Sequence, residues 1–259
     1  MKAVYVDYDP YNRLGNRMFQ YAMGYILSQK YNCPLYTKEG LPNFGIDPNP
    51  SNELNPVFDN IIFSRHYGDQ HIDLSQVSID TNYIINSWCQ KAQYYIEYRN
   101  RLREVFGIKE LQTINKDSLI VHIRETDYKT LGAFLGYKFY KELIDDSGYT
   151  DVKIVTDNPK GETIQKLLTE GCTLCTDGDE VQFSHHGDGR AMADFKTLLY
   201  SENIAISQSS FAWWGAFLGY HKSIIFPYRK DIKWWPLNPG KDDIDLYFDF
   251  DNTSSKYIK

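Results

Sequence analysis

The stretch from Val121 to Asp127 combines a buried-strand pattern with residue types that can bind an anion or transfer a proton. Apolar residues precede it, and His122, Arg124 and Asp127 appear where a strand would end and a loop begin. The guanidinium of Arg124 can hold a phosphate through two parallel hydrogen bonds and keeps its charge at any physiological pH. A surface ion pair between Arg124 and Asp127 would give the same pattern, so both interpretations remain open.

A second segment places Gly15 and Asn16 between the strand-like run 3–6 and a helical pattern. Gly15 allows a tight turn and a close approach of the backbone to a ligand. The amides at the start of the following helix can face an anion. One such turn is weak evidence, but it matches the chemistry that Arg124 indicates.

A third segment places Ser209 and Ser210 before Phe211, after another apolar run at 204–206. Their hydroxyls and the first amides of a following helix can donate hydrogen bonds to phosphate oxygens. A serine that caps a buried aromatic helix is the alternative interpretation. Trp213 and Trp214 are expected to anchor that helix.

In this order, the three segments resemble the α-1,2-fucosyltransferases of glycosyltransferase family 11. That family has a GLGNQMFQYA-like opening, a mid-chain HxRxxD motif and a SNSSFSWWGAWL-like segment near its C-terminus, and all three have counterparts here. The segment 86–90 also resembles the family's GYWQS segment, and 154–158 resembles its FSDD strand end. The resemblance therefore covers nearly the whole chain.

The chain departs from the family pattern at four positions. Arg13 replaces a Gly, Arg17 a Gln, Gln208 an Asn, and Asn158 the second Asp of the FSDD segment. These changes leave the enzyme class in place and leave open the acceptor and, to a lesser extent, the donor sugar.

The resemblance implies an α/β, GT-B-like fold with two Rossmann-like lobes. A small acceptor-side lobe would span residues 1–112, and a GDP-sugar-binding lobe with a tail would span 113–259. The implied reaction is inverting, metal-independent transfer of L-fucose from GDP-β-L-fucose to the 2-hydroxyl of a terminal galactose on a glycan. No cofactor is expected beside this donor substrate. A related transferase that uses another GDP-sugar or acceptor and a non-catalytic sugar-nucleotide or glycan-binding module remain as alternatives.

The resemblance also implies roles for individual residues. Arg124 is expected to stabilise the growing charge on departing GDP, with Asn16 in the same catalytic set. Asp127 is the candidate base for the acceptor hydroxyl, or else only orients Arg124 or a ring hydroxyl. Asp194 corresponds to an acidic residue that reads guanine, although an aspartate at a helix start is commonly a cap. The expected nucleotide contacts are Gly15, Asn16, His122 (to ribose or phosphate), Arg124, Asp157, Asp194, Ser209, Ser210 and Phe211.

Composition agrees with a folded enzyme. The 259 residues are 42% hydrophobic and 15% aromatic, enough for one large core or two small ones. A net charge of −6 argues against a nucleic-acid-binding surface. No transmembrane segment or leader is visible, so a cytoplasmic location is expected, with work at the inner membrane face left open. The oligomeric state cannot be read from the sequence.

Metal binding is not expected from the sequence. Cys172 and Cys175 have the spacing of half a zinc site, but only adjacent His185 and His186 could add ligands, so ordinary thiols are predicted. Asp-x-Asp triplets, which metal-dependent transferases often carry, recur here as so short a pattern does by chance.

Strands that alternate with helices predict parallel βαβ units. A Pro-, Asn- and Gly-rich stretch at 40–60 predicts a long loop. The predicted strands are 3–6, 79–85, 119–123, 152–156 and 204–207. The predicted helices are 16–30, 91–105, 138–145, 163–169, 192–201 and 211–220.

Overall fold

The computed structural model describes residues 3–8, 12–50, 82–85, 87–109, 113–175, 189–227, 246–250 and 254–258. The chain divides into two compact units. Among the described residues, the first unit contains those up to Lys109 together with Leu246. The second unit contains 113–227 and the residues from Tyr247 onward.

The first unit is built on a three-stranded parallel sheet with the order β2-β1-β3. Its strands are β1 (Val4–Val6), β2 (Leu35–Thr37) and β3 (Tyr83–Ile85). The helix α1 (Leu14–Tyr31) connects β1 to β2 and packs closely on the sheet. A Cβ atom on Gly24 would lie 2.6 Å from Val6 Cγ2, so only glycine permits this approach.

The predicted helix over 91–105 is wrong in its first half. The chain forms two short 3₁₀ turns, Ala92–Tyr94 and Ile96–Tyr98, before α2 (Arg99–Val105). Tyr95 is fully buried and its hydroxyl donates to the carbonyl of Cys89 at 2.7 Å. This bond ties the turn to a residue six positions earlier, a tertiary contact that helical propensity does not reveal. In the predicted loop, 40–50 forms the 3₁₀ turn Pro42–Phe44 and two isolated bridges, and 51–60 lies outside the described residues.

The second unit is built on a six-stranded parallel sheet with the order β6-β5-β4-β7-β8-β9. Numbered within the unit, this is 3-2-1-4-5-6, the doubly wound order. Its strands are β4 (Ile114–Ile123), β5 (Asp151–Thr156), β6 (Thr173–Leu174), β7 (Ser201–Ala205), β8 (Ser223–Pro227) and β9 (Ser254–Ile258). Its helices are α3 (Thr126–Thr130), α4 (Gly136–Ser147), α5 (Glu162–Thr169), α6 (Gly189–Tyr200) and α7 (Ser210–Leu218).

This strand order places a topological switch point between β4 and β7. Connections leave the two strands toward opposite sides of the sheet, which opens a crevice beyond their carboxyl ends. The end of β4 carries His122, and the chain after β7 carries Ser207 to Ser210. The fold thus brings two of the three motif segments to one edge of one sheet.

The helix α7 is apolar on all sides and lies in the core. Trp213 and Trp214 are fully buried, as predicted for residues that anchor this helix. The Trp213 ring stacks on Phe217 at 4.6 Å and meets Phe248 edge-on at 5.6 Å. Buried aromatic packing of this kind fixes the position of the helix start.

Most predicted element ends shift by a few residues. The strand β4 begins at Ile114 instead of residue 119, because its exposed polar first half continues the strand. The helix α6 begins at Gly189 instead of 192, so Asp194 lies in its second turn and cannot cap it. None of the described helices is long and apolar enough to cross a membrane.

Candidate functional site

Arg124 lies one residue beyond the carboxyl end of β4 and is held by two carboxylates. Its Nε lies 2.9 Å from Asp127 Oδ1 and 3.2 Å from Asp157 Oδ2. The guanidinium carbon also lies 5.6 Å from the centre of the Tyr128 ring. The Arg124 side chain is only 14% exposed, so its pair with Asp127 is not the freely solvated surface pair that the sequence left open. The group is fixed in place from several sides.

The arrangement leaves the terminal amino groups of Arg124 available. Nη1 and Nη2 make no hydrogen bond to any described residue, whereas Nε is engaged by both carboxylates. Burial disfavours the charged guanidinium, but Asp157 and Asp127 outweigh this effect and raise the pKa of Arg124 above its ordinary value. Arg124 therefore presents a permanent, oriented pair of donors, the geometry that binds a phosphate in bidentate fashion.

Asp157, at the carboxyl end of β5, organises the loop that carries Arg124. Its Oδ1 accepts the backbone N–H of Glu125 at 2.9 Å, and its Oδ2 accepts the Thr126 hydroxyl. With the Arg124 contact, one carboxylate joins the ends of two neighbouring strands. Because these donors already occupy both oxygens of Asp157, its position favours orienting Arg124 over direct contact with a negatively charged ligand.

Glu125 stabilises the same loop. Its carboxylate is completely buried and pairs with Lys129 one helical turn later. Gly161 packs directly against it, so that any side chain at 161 would overlap the Glu125 carboxylate. Gly161, which directly precedes α5, is thereby packed against the loop that carries Arg124.

His122 points into the switch point between β4 and β7. It is buried, and its Nδ1 shares a hydrogen bond of 2.7 Å with the Ser207 hydroxyl. Burial lowers the pKa of His122 to about 4, despite the opposing effect of Asp157. The imidazole is therefore neutral near pH 7, and its Nε2 makes no hydrogen bond within the described part of the chain. The ring lies 6.1 Å from Phe211.

The start of α7 offers unused donors beside His122. Ser209 occupies the N-cap position, but its side chain makes no capping hydrogen bond. The first amides of the helix therefore lack the side-chain acceptor that commonly satisfies them. Tyr128 fixes this turn, because its hydroxyl donates to the carbonyl of Gln208 at 2.7 Å. The simple capping interpretation of the serine segment is thus wrong, and Ser209, Ser210 and the amide of Phe211 remain candidate phosphate contacts.

Two residues of α6 belong to the same region of the fold. Asp194 is buried in the second turn of the helix, and the next residue, Phe195, contacts Phe211 at 5.3 Å. Arg190, in the first turn, donates weakly from Nη2 to the carbonyl of Thr156 at the end of β5, at 3.5 Å.

In the first unit, Gly15 and Asn16 lie within the first turn of α1. The predicted tight turn at Gly15 is wrong, because Arg13 is the last extended residue and the helix starts at Leu14. Asn16 Oδ1 accepts a hydrogen bond from Gln90 Nε2 at 3.1 Å, which turns its amide N–H groups away from Gln90. Asn16 thus presents donors, as a phosphate contact would require.

A polar network that the sequence did not indicate follows the strands of the first unit. Asn12 Oδ1 accepts from Trp88 Nε1 at 3.0 Å, and Asn12 Nδ2 donates to Gln20 at 2.9 Å. Arg17 is buried, donates to the carbonyl of Asn12 at 3.0 Å and pairs with Glu39 at 2.6 Å. The replacement of the family's Gln by Arg17 therefore comes with a carboxylate partner.

The structure brings Arg124, Asp127 and Asp157 into direct contact and places His122 and the serine turn along the same sheet edge. Thr126, Tyr128, Ser207 and Arg190 are the residues of this region that the sequence did not single out. Thr126 and Tyr128 flank Asp127 in the motif and could have been suspected. Arg190 lies in no motif.

The described residues contain no group of three or more His, Cys, Asp or Glu placed to hold a metal ion. Burial raises the pKa of Cys175 to about 12, so this thiol stays protonated. His185 and His186 lie outside the described residues.

No family model matches the chain. An alpha-1,2-colitosyltransferase of Escherichia coli is 25% identical in an alignment 249 positions long, and the match covers 79% of this chain and 84% of that protein. NodZ alpha-1,6-fucosyltransferase of Bradyrhizobium, co-crystallised with GDP, has a TM-score of 0.52 at 12% identity and covers 85% of this chain and 93% of its own. A mutant of Arabidopsis thaliana FUT1 in complex with GDP has a TM-score of 0.50 at 14% identity, with coverages of 90% and 72%.

These likenesses confirm two predictions. The fold is α/β and GT-B-like, with parallel sheets, as in the two structural neighbours. The resemblance to α-1,2-transferases is confirmed by the alpha-1,2-colitosyltransferase, which is 25% identical to this chain. At 12% and 14% identity, the structural neighbours support the fold alone.

Proposed function

We propose that this protein is a glycosyltransferase that moves L-fucose from GDP-β-L-fucose to the 2-hydroxyl of a terminal galactose on a glycan, with inversion at the sugar carbon and without a metal ion. The observation that carries the proposal is the state of Arg124. Two carboxylates hold its Nε, and neither terminal amino group makes a hydrogen bond to a described residue at the carboxyl end of β4. This is a built anion site beside the switch point of a nucleotide-binding sheet order.

The leaving group explains why such a site is needed. When the bond between sugar and phosphate breaks, negative charge grows on the β-phosphate of GDP. Donors already aimed at that oxygen stabilise the transition state more than the ground state, and this difference accelerates the reaction. Arg124 supplies charge, and Ser209, Ser210 and the amide of Phe211 supply neutral donors. Asn16, whose amide N–H groups are turned away from Gln90, is proposed as a further donor on the first unit.

Asp127 is the proposed base for the acceptor hydroxyl. Its side chain is 28% exposed, whereas that of Asp157 is 9% exposed, so Asp127 is the more accessible carboxylate of the two. One oxygen of Asp127 holds Arg124 Nε. A base in this position would couple proton removal from the acceptor to the phosphate that Arg124 binds.

His122 serves the site in its neutral form. Because the pKa of the imidazole is lowered to about 4, it adds no positive charge near pH 7. The shared bond with Ser207 fixes the ring, and Nε2 can contact a ribose hydroxyl or a phosphate oxygen. Asp194 is proposed to receive the N–H donors of guanine.

The first unit is proposed to contribute the acceptor side. Its network of Asn12, Arg17, Glu39 and Trp88 combines carboxylate, amide and aromatic groups, the chemistry that sugar hydroxyls and sugar ring faces require. Glu39 is 45% exposed, which leaves it accessible to a ligand.

One alternative donor has a specific observation in its favour. The curated relative is an alpha-1,2-colitosyltransferase, and colitose is the 3-deoxy counterpart of L-fucose. A donor pocket that hydrogen-bonds the 3-hydroxyl of fucose would reject colitose, whereas a pocket without such a contact would accept both sugars. GDP-colitose is therefore the second donor to test.

The deciding experiment measures GDP release in EDTA-containing buffer with GDP-fucose or GDP-colitose, with and without lactose and N-acetyllactosamine. Acceptor-dependent release from GDP-fucose, with an α-1,2-linked product identified by NMR, is the expected result. Faster turnover of GDP-colitose would reassign the donor within the same chemistry.

Three other outcomes would count against the proposal. Binding of GDP-fucose without turnover on a broad panel of galactosides would support the non-catalytic binding module. Absence of GDP binding would refute the donor class altogether. Loss of activity in EDTA that Mn²⁺ restores would refute the metal-independent mechanism.

A further inference from the structure

Arg190 is a partly exposed cation that forms no ion pair with any described residue. It is the second residue of α6. Its Nη2 lies 3.5 Å from the carbonyl of Thr156, a long contact to a neutral group. Its Nε and Nη1 are shielded from solvent and have no hydrogen-bond partner among the residues that the structure describes. Two nitrogens of this guanidinium therefore carry N–H donors that no described residue satisfies.

This state is unfavourable unless a ligand relieves it. Burial of N–H donors without acceptors opposes folding. The nearest carboxylate along β5, Asp157, already receives Glu125 N–H, Thr126 and Arg124. The chemistry that would satisfy Arg190 is an anion with several acceptor oxygens.

The position of Arg190 indicates which class of anion it binds. Thr156, which it contacts, is the last residue of β5, and β5 is hydrogen-bonded to β4, the strand that ends beside Arg124. Neighbouring strands are about 4.8 Å apart, and a guanidinium reaches farther than that from its backbone. Arg124, just beyond the end of β4, and Arg190, which contacts the end of β5 from α6, can therefore serve two linked phosphates.

We infer that Arg190 is a second cationic contact for the diphosphate of the sugar nucleotide, acting on the phosphate that Arg124 does not hold. The inference rests on the proposed function for the identity of the donor. It extends that proposal by a residue outside every motif of the sequence. In this role Arg190 strengthens nucleotide binding and fixes the diphosphate, while Arg124 stabilises the departing charge.

The test is calorimetric binding of the full chain to three probes: GDP, guanosine and inorganic pyrophosphate. Arg190→Met keeps the length and the apolar stem but removes the charge. This substitution is expected to weaken the binding of GDP and of pyrophosphate by about 10- to 100-fold and to leave the affinity for guanosine unchanged. Arg190→Lys should fall between, because an ammonium keeps the charge but not the paired donors.

Arg101→Met is the matched control for loss of one positive charge. Arg101 is 58% exposed and pairs with Glu104 on the surface of the first unit. Its substitution should leave all three affinities unchanged. Thermal unfolding of each variant without ligand identifies any loss of folding. If Arg190→Met does not fold, Arg190→Lys is compared with the wild type instead.

The outcomes separate this inference from the proposed function. If the wild type binds GDP and Arg190→Met binds it equally well, Arg190 has no such role and the donor assignment stands. If Arg190→Met weakens the binding of guanosine as much as that of GDP, Arg190 contributes to the shape of the pocket or to binding of the base instead of the diphosphate. If the wild type binds pyrophosphate but not GDP, the diphosphate contact can stand while the donor assignment falls. If the wild type binds neither GDP nor pyrophosphate, both the role of Arg190 and the donor assignment are refuted.

Discussion

Asp127→Asn, compared with Asp157→Asn, tests whether Asp127 is a base or only an anchor. Both carboxylates hold the same atom, Arg124 Nε, at 2.9 and 3.2 Å. Each asparagine keeps the shape of the side chain and removes its charge. Both substitutions weaken the hold on Arg124. Asp157→Asn also weakens the contacts to Glu125 and Thr126, so anchoring alone predicts the larger loss for Asp157→Asn, and only a base would make Asp127→Asn the more impaired variant.

The size of the two effects can be worked out separately. Loss of one charge-assisted hydrogen bond costs about 1.5–3 kcal/mol, which corresponds to roughly a 10- to 150-fold effect if it is passed fully to the phosphate contact. Loss of a general base lowers the rate by about a further 10²- to 10⁴-fold. We expect both variants to bind GDP more weakly than the wild type, and only Asp127→Asn to show the additional loss in kcat.

The assay combines GDP binding by calorimetry with kcat for acceptor-dependent GDP release at saturating donor. A lower kcat for Asp127→Asn than for Asp157→Asn isolates the proton-transfer role, because loss of anchoring alone is expected to be at least as large in Asp157→Asn. A solvent-exposed substitution, Asp145→Asn, controls for loss of surface charge, since Asp145 only pairs with Lys141 on α4.

Equal kcat values for Asp127→Asn and Asp157→Asn would refute the base assignment. In that case Asp127 would be an anchor, and the base would have to come from elsewhere. Unchanged GDP affinity in both variants would refute the premise that these carboxylates position Arg124 for the phosphate.

Three further substitutions test the site and its support. Arg124→Ala should lower turnover by about 10²-fold or more, with Arg124→Lys less impaired, and near-normal activity in a folded protein would remove Arg124 from the mechanism. His122→Asn should flatten the pH dependence of stability: because the folded pKa of about 4 lies below the ordinary value of 6.5, the wild type loses up to about 3 kcal/mol as pH falls from 6.5 to 4. Chemical denaturation of both proteins across this range measures the difference, and equal slopes would contradict it. Gly161→Ala should destabilise the fold by about 1–3 kcal/mol because its methyl would overlap the Glu125 carboxylate, whereas Gly189→Ala, whose methyl meets no atom within 4 Å, should be tolerated in thermal unfolding.

Local patterns were sufficient to predict much of the fold. The long apolar run at 119–123 and the helical periodicity before Gly148 correspond to β4 and α4, with ends shifted by a few residues. The prediction was wrong where a tertiary contact competes with local preference, as in the 3₁₀ turns that Tyr95 fixes through Cys89. Element ends also moved because polar residues can continue a strand without a buried face, as at the start of β4.

The sequence by itself determined the chemistry of the site at short range. Arg124 and Asp127 are three residues apart, so a strand end followed by a helical turn is enough to bring them together. The serine turn before α7 was likewise visible, because small hydroxyl residues between an apolar run and an aromatic helix can be recognised locally.

Only the tertiary structure decided which distant residues complete the site. Asp157 reaches Glu125 and Thr126 because β5 pairs with β4. His122 meets Ser207, 85 positions away, because β7 lies on the other side of β4. The order of strands in a sheet depends on which pairings bury the most apolar surface together, and no local pattern of residues encodes that sum.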